Sequence, residues 1–253
     1  MKKIMCFLLA LALLFSLCGC SGGNTVNSEN DLYGKRIGVI KNSVAAGSQK
    51  LKDYEGNLFY YDDKEAVLEA LENTSIDCAV LEYEYADALN KKSPKVTVLE
   101  TPFINEPYSF IAAKENIALT EDINSALFAL SENGTLSKII ESYTKGGDYS
   151  YSPQYTEDMP TITLLVYEDN SPYTVKTESG YHGMNIDIAS AVCDHLGIGL
   201  SVRTVNDGED PVELIRSGEA QIAMGIVYSD DAAREVDFTE SYFTSTQMIL
   251  VRK

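Results

Sequence analysis

Histidine is nearly missing from this sequence: His182 and His195 are the only two. The first sits in a Gly-flanked turn and the second follows Asp194 on a helical pattern, so neither has the companions that a catalytic or metal constellation needs. No nucleophile motif, Cys/His zinc spacing or P-loop occurs, so no cofactor and no metal is expected and the enzyme classes built on them lose support. Base is scarce as well. Lysine and arginine together number 20 against 38 acidic residues, a formal net charge of −18. That sign argues against nucleic acid or an anionic membrane surface as partner, and it selects no ligand. Past residue 17 no run is long and apolar enough to cross a bilayer.

What is present begins with a leader. Lys2-Lys3 precede an almost unbroken apolar run over residues 4–17, too short for a comfortable span and followed by small residues, the pattern of a secretory signal. Leu17-Cys18-Gly19-Cys20 is similar to a bacterial lipobox, in which the last Cys carries lipid. Residues 1–19 then form a lipoprotein signal peptide, and residues 20–30, a lipidated Cys20 followed by Ser, Gly and Asn, form a flexible tether. A simple secretory signal cleaved nearby is the alternative. The expected location is extracytoplasmic, anchored to the cell membrane. Of five cysteines, Cys6 and Cys18 leave with the signal. Cys78 and Cys193 are expected to be buried in different lobes and unpaired.

From residue 31 onward, strand-like runs at 36–40, 58–61, 76–81 and 96–99 alternate with helical spacing after Ser43, over 64–72 and through Tyr85, Ala88 and Leu89. Such alternation predicts a mostly parallel sheet covered by helices. An apolar run at 108–113 leads to an amphipathic helix over 120–130, with Thr120 as N-cap and Ile123, Leu127 and Leu130 on one face. Gly134 breaks it, and a second helix covers 136–143. Residues 146–160, rich in Gly, Tyr, Ser and Pro and without periodicity, read as an internal linker. After it come strands at 161–166, 200–205, 222–227 and 246–251, with helices at 186–196 and 212–216. Two α/β segments follow from the pattern alone.

Several motifs carry a resemblance. Ser171-Pro172-Tyr173, Gly183-Met184-Asn185-Ile186-Asp187-Ile188, Leu196-Gly197 and Val236-Asp237-Phe238-Thr239-Glu240-Ser241-Tyr242 resemble the first half of a family-3 extracellular solute-binding protein. Asp31-Leu32-Tyr33-Gly34-Lys35-Arg36-Ile37-Gly38-Val39 and Glu132-Asn133-Gly134-Thr135-Leu136-Ser137-Lys138-Ile139-Ile140 resemble the second half. The halves stand in swapped order. The resemblance implies a two-lobe, periplasmic-binding-protein-like type II α/β fold, circularly permuted, with a ligand cleft between lobes. Lobe 2 would span 31–106, and lobe 1 would span 107–145 and 161–253. Linker 146–160 would join the ancestral termini. The new ends, near Asp31 and Lys253, are expected at one interlobe crossover, leaving the other, near residues 104–108, as the lone connection.

The resemblance also suggests ligand contacts. Tyr173 matches an aromatic that stacks on ligand, with a core aromatic as the alternative. Glu82, after a strand, aligns with the acid that pairs a ligand ammonium, although the Glu82-Tyr83-Glu84-Tyr85 run also suits a plain helix start. Ser43 can offer its hydroxyl and neighbouring N–H groups to an anion. Gly225 and Val227 are placed on the cleft wall. Ala232 occupies the position of the family's carboxylate-gripping Arg. Arg234, two residues on and about 200° around a helix, is either a displaced substitute or a solvated surface residue.

The function implied is that of a solute-binding protein of an ABC importer, a monomer and not an enzyme, capturing a small polar solute, by default an amino acid or derivative. Its partners would be that solute, a permease and the membrane through lipid. A sensor with the same fold and a dehydratase-like enzyme remain as alternatives.

Overall fold

The computed structural model describes residues 24–253 except 42, 155, 157, 169, 170 and 207. The signal peptide and Cys20 therefore lie outside the described residues.

The first sheet grows from four short strands, β1 (Ile37–Ile40), β2 (Leu58–Tyr61), β3 (Cys78–Glu82) and β4 (Val96–Val98). Between them run α1 (Val44–Gly47), α2 (Gln49–Lys52), α3 (Lys64–Glu72) and α4 (Tyr83–Lys92). Two of the turns into helices have a clear local cause. Ser43 and Asp63 cap α1 and α3 by accepting from the N–H groups of Ala46 and Ala66, which satisfies donors that would otherwise be orphaned. Val67, Leu68 and Leu71 on α3 are buried, as their helical spacing predicts.

The chain then passes to the second sheet through β5 (Ile104–Tyr108) and β6 (Ile111–Ala113). There follow α5 (Ile117–Glu132), α6 (Thr135–Lys145), β7 (Thr161–Val166), a hairpin of β8 (Val175–Thr177) and β9 (Gly180–His182), and α7 (Met184–Leu196). After these come β10 (Gly199–Thr204), α8 (Pro211–Arg216), β11 (Ile222–Ala223), α9 (Asp230–Glu235) and β12 (Val236–Phe238). The last strand, β13 (Phe243–Arg252), returns to the first sheet. The 120–130 helix begins three residues early, with Asn116 rather than Thr120 at its N-cap.

The two sheets share one topology. Their orders are β2-β1-β3-β13-β4 and β10-β7-β11-β6-β12. In each, three parallel strands are followed by an antiparallel strand that has just arrived from the other lobe. The expectation of a lone crossover is therefore corrected: two segments connect the lobes, residues 109–110 and 239–242. Residues 243–253 accordingly belong to lobe 2, not to lobe 1 as the sequence suggested. The reason is the pairing of β13, whose second half lies between β3 and β4 and whose first half pairs with β5.

Where β13 ends, β1 begins. Val251 and Ile37 both stand opposite Cys78, on the two sides of β3, so adjacent-strand spacing puts them about 10 Å apart. Arg36 grips Asp77 through its side chain and its N–H, and Arg252 donates to the carbonyls of Leu71 and Ile76.

Lobe 1 is built around α7, buried from Met184 to Cys193 and packed by α5 and α6. The described residues between α6 and β7 form no helix or strand, and Tyr151 and Gln154 strap the stretch to this helix. Asp187 accepts from the Tyr151 N–H at 2.9 Å and the Tyr143 hydroxyl at 3.0 Å. Asp194 accepts from the Tyr151 hydroxyl and the Gln154 N–H at 2.9 and 2.7 Å. Cys78 and Cys193 are buried, free and in different lobes.

The N-terminus of α7 depends on Gly183. Its φ is 125°, and a Cβ there would meet the Tyr173 carbonyl oxygen at 2.4 Å. That close approach lets the N–H groups of Met184 and Asn185 donate to the Pro172 and Tyr173 carbonyls. Gly183→Ala is expected to lower unfolding free energy by roughly 2–3 kcal/mol, from backbone strain and the displaced carbonyl. Urea unfolding monitored by circular dichroism measures it, and a midpoint equal to that of the parent chain would refute it.

Candidate functional site

A cavity of about 410 Å³ opens between the lobes. Lobe 2 contributes Lys41, Ser43, Ala46, Gly47 and Tyr60; lobe 1 contributes Tyr167 and the backbone stretch Gly225, Ile226 and Val227. The placement follows from strand geometry. Lys41 and Ser43 follow the C-terminal end of β1, Tyr167 that of β7, and Gly225 to Val227 that of β11, where parallel sheets present their loops to ligands.

Ser43, Gly225 and Val227 are thus brought together on one cavity wall. The Ser43 hydroxyl is already committed, however, donating to the Ile40 carbonyl at 2.7 Å and accepting from Ala46. The lobes touch beside it: a Cβ added at Gly47 would stand 3.1 Å from a Val227 methyl. Gly225, at φ 83°, lies against the Tyr167 ring.

Tyr173 and Glu82 are not on this wall, contrary to expectation. Both are 1% exposed, in a polar cluster behind the cavity. The Tyr173 ring stacks on Tyr108, centroids 5.0 Å apart, so the surface expected to meet ligand is covered by another tyrosine. The Tyr108 hydroxyl donates to Glu82 Oε1 at 3.1 Å. Gln247, opposite Glu82 in the strand pairing, donates to the Ser245 hydroxyl oxygen at 3.0 Å, and that oxygen lies 3.4 Å from the Tyr173 hydroxyl.

Burial dominates the chemistry of Glu82. Loss of solvation pushes its carboxyl up to about 8, with the Tyr108 hydroxyl and the Val44 N–H pulling weakly the other way. Glu82 is therefore mainly protonated at neutral pH, and a protonated carboxyl can donate. Glu82 Oε2 and Gln247 Oε1 are both buried without a hydrogen-bond partner, so the neutral acid faces a neighbour that lacks a donor.

For Arg234 the structure fits the surface alternative. The residue sits near the end of the six-residue α9 and pairs with Asp231 at 3.1 Å, its side chain 74% exposed. It lines a second crevice of about 480 Å³, with Gln49 and Lys52 from lobe 2 and Asp230 from lobe 1. Lys41, Tyr60 and Tyr167 were missed by sequence reasoning. For Lys41 and Tyr167 a signal existed: each directly follows a parallel strand.

Two α/β lobes of one topology are joined by a paired double crossing and enclose a cavity. Residues 162–253 match the family model of the bacterial extracellular solute-binding proteins, family 3. It is 23% identical to the sensor protein EvgS of Escherichia coli K12 over 155 residues, 57% of this chain and 13% of that protein. It is 30% identical to the membrane-bound lytic murein transglycosylase F of Saccharophagus degradans over 91 residues, 35% of this chain and 18% of that one. The chain thus spans a small part of either relative. Among solved structures, the phosphate-binding protein of a Streptococcus pneumoniae phosphate ABC transporter aligns with TM-score 0.41 and 12% identity, covering 87% of this chain and 90% of that one. The probable amino-acid ABC transporter binding protein ytmK of Bacillus subtilis aligns with TM-score 0.42 and 8% identity, covering 81% and 71%. The family is an extracellular one, and no helix among the described residues is long and apolar enough to cross a membrane.

Glu82 also sets a pH dependence. Below about 4.5 it is protonated in folded and unfolded chains alike. Between there and about 8 only the folded chain keeps the proton, so this stabilisation is lost as pH rises through that window. Glu82→Gln is expected to gain on the parent chain by at least ~1 kcal/mol between pH 5 and pH 8. Denaturant unfolding at both pH values tests this, and parallel profiles would refute it.

Proposed function

We propose that this chain is the membrane-anchored, extracytoplasmic binding component of an ABC importer, a monomer that closes two lobes around a small polar solute and docks on a permease. Cys20 would carry the lipid, and the solute is by default an amino acid or derivative. The observation that carries the reading is the interlobe cavity, walled by Ser43 and Gly47 from one lobe and by Gly225 and Val227 from the other. A solute there touches both lobes at once, so its binding energy favours closure. We read a binder rather than an enzyme because Glu82, the acid best placed behind the cavity, is closed off from it. A second reading, a sensor of the same fold signalling to a membrane partner, draws on the similarity to EvgS.

Thermal shift against amino acids, amines and small carboxylates tests solute capture, since a ligand at a hundred times its Kd adds about 2.7 kcal/mol. Gly47→Val should hold the lobes apart at Val227 and weaken the best ligand at least ~10-fold, with the unfolding midpoint of the free protein little changed. No ligand in any class, or full affinity in the variant, would sink the reading.

We also propose that the order of the halves is a circular permutation, its cut lying between β13 and β1 inside lobe 2. Support comes from the shared sheet order and from Ile37 and Val251 flanking one residue. A rearranged chain running 146–253, then a short Gly/Ser link, then 31–145 keeps the strap on α7 and should fold to the same circular dichroism spectrum, its thermal midpoint within several degrees of the parent. Failure to fold would count against the permutation and leave solute binding untouched.

A further inference from the structure

Lys41 is the single charged side chain among the described residues lining the interlobe cavity, in a chain with nearly two acids for every base. Its ammonium meets Asp62 Oδ1 at 2.6 Å, but the two side chains are 54% and 81% exposed. A pair so open to water has small net worth, and Asp62 is an easily displaced partner. Across the cavity, the N–H groups of Gly225, Ile226 and Val227 have no intramolecular partner among the described residues, nor have the hydroxyls of Tyr60 and Tyr167. The described lining is therefore rich in donors, with one cation and two tyrosines that approach from opposite lobes. Ala232 stands where the resemblance placed a carboxylate-gripping Arg, and Arg234 is held by Asp231 outside the cavity. Glu82, the acid expected to meet an ammonium, is sealed and mainly neutral.

We propose that the solute is a small organic anion with a flat body and no ammonium group, its negative end held by Lys41 in place of Asp62 and its body between Tyr60 and Tyr167. This rests on the solute-binding reading above and narrows its default. Charge recognition moves from lobe 1, where the resemblance put it, to lobe 2. Closure then desolvates Lys41 together with its bound anion, which strengthens the pair beyond anything Asp62 provides in the open mouth.

Titration calorimetry on the full chain with benzoate, benzamide, benzylamine and L-phenylalanine tests the class. Benzoate should bind, and the other three should bind at least tenfold more weakly. Lys41→Gln should weaken benzoate at least tenfold, whereas Asp62→Asn should tighten it severalfold, because it removes the competitor. These opposite signs separate a ligand contact from a merely structural ion pair, whose loss from either side acts alike. Benzylamine or L-phenylalanine matching benzoate, or Asp62→Asn leaving the affinity unchanged or weaker, overturns the proposal. So does silence from all four probes. In that event a positive result elsewhere in the wider thermal-shift panel shows that only the anion class has failed, and a blank panel shows that solute binding has failed with it.

Discussion

Everything in this molecule hangs on the antiparallel pairing of β5 with β13. From Phe243 against Tyr108 to Gln247 against Ile104, the two segments that leave and re-enter lobe 2 are tied edge to edge. A single covalent crossing would leave the lobes free to twist. Two crossings hydrogen-bonded to each other form a narrow ribbon that bends in one sense more easily than it twists, and that is the mechanical requirement for a hinge. The same pairing decides where the cavity can be, because it sets the C-terminal ends of β1 and of β7 and β11 facing one another.

The side chains on this ribbon explain why it holds. Tyr108 from one crossing stacks on Tyr173 and donates to Glu82; Ser245 and Gln247 come from the other crossing. Polar atoms buried at a hinge cost stability unless paired, and here two acceptors, Glu82 Oε2 and Gln247 Oε1, have no partner. A carboxyl that keeps its proton relieves this in a way that a charged one does not. Burial holds this carboxyl up at about 8, and neither Glu82 nor Gln247 lines the cavity.

Much of the fold could be read from local sequence, because alternating strand and helix patterns, Ser43 and Asp63 caps and the turn glycines act within a few residues. The cavity wall formed by Ser43, Gly225 and Val227 was legible for the same reason: each lies just beyond a strand end. Tyr173 and Glu82 were misplaced, because their surroundings are set by distant partners. Nothing near Tyr173 announces that Tyr108 will cover it, and nothing near Glu82 announces that Tyr108 and Gln247 will enclose it. The lone crossover failed on the same ground. The pattern over residues 243–252 says strand, but only pairing with β3, β4 and β5 says which sheet.

The proposed permutation explains two otherwise unrelated features. Within a sheet, neighbouring strands are held by the ladder whether or not a loop connects them, so cutting between β13 and β1 loses little while Arg36 and Arg252 still anchor both strands beside β3. What changes is the other end, where α6 must be linked to β7 across lobe 1. A free loop of that length would tax closure entropy only slightly, yet it is not left free. Asp187 and Asp194, one turn-pair apart on α7, take backbone N–H groups and a tyrosine hydroxyl from it. Asp187 is itself buried, so the strap removes from solvent a carboxylate whose bonds it supplies. The linker is thus tied to the lobe 1 surface at Tyr151 and Gln154 rather than hanging as a spacer, with Tyr151 half-buried against the core.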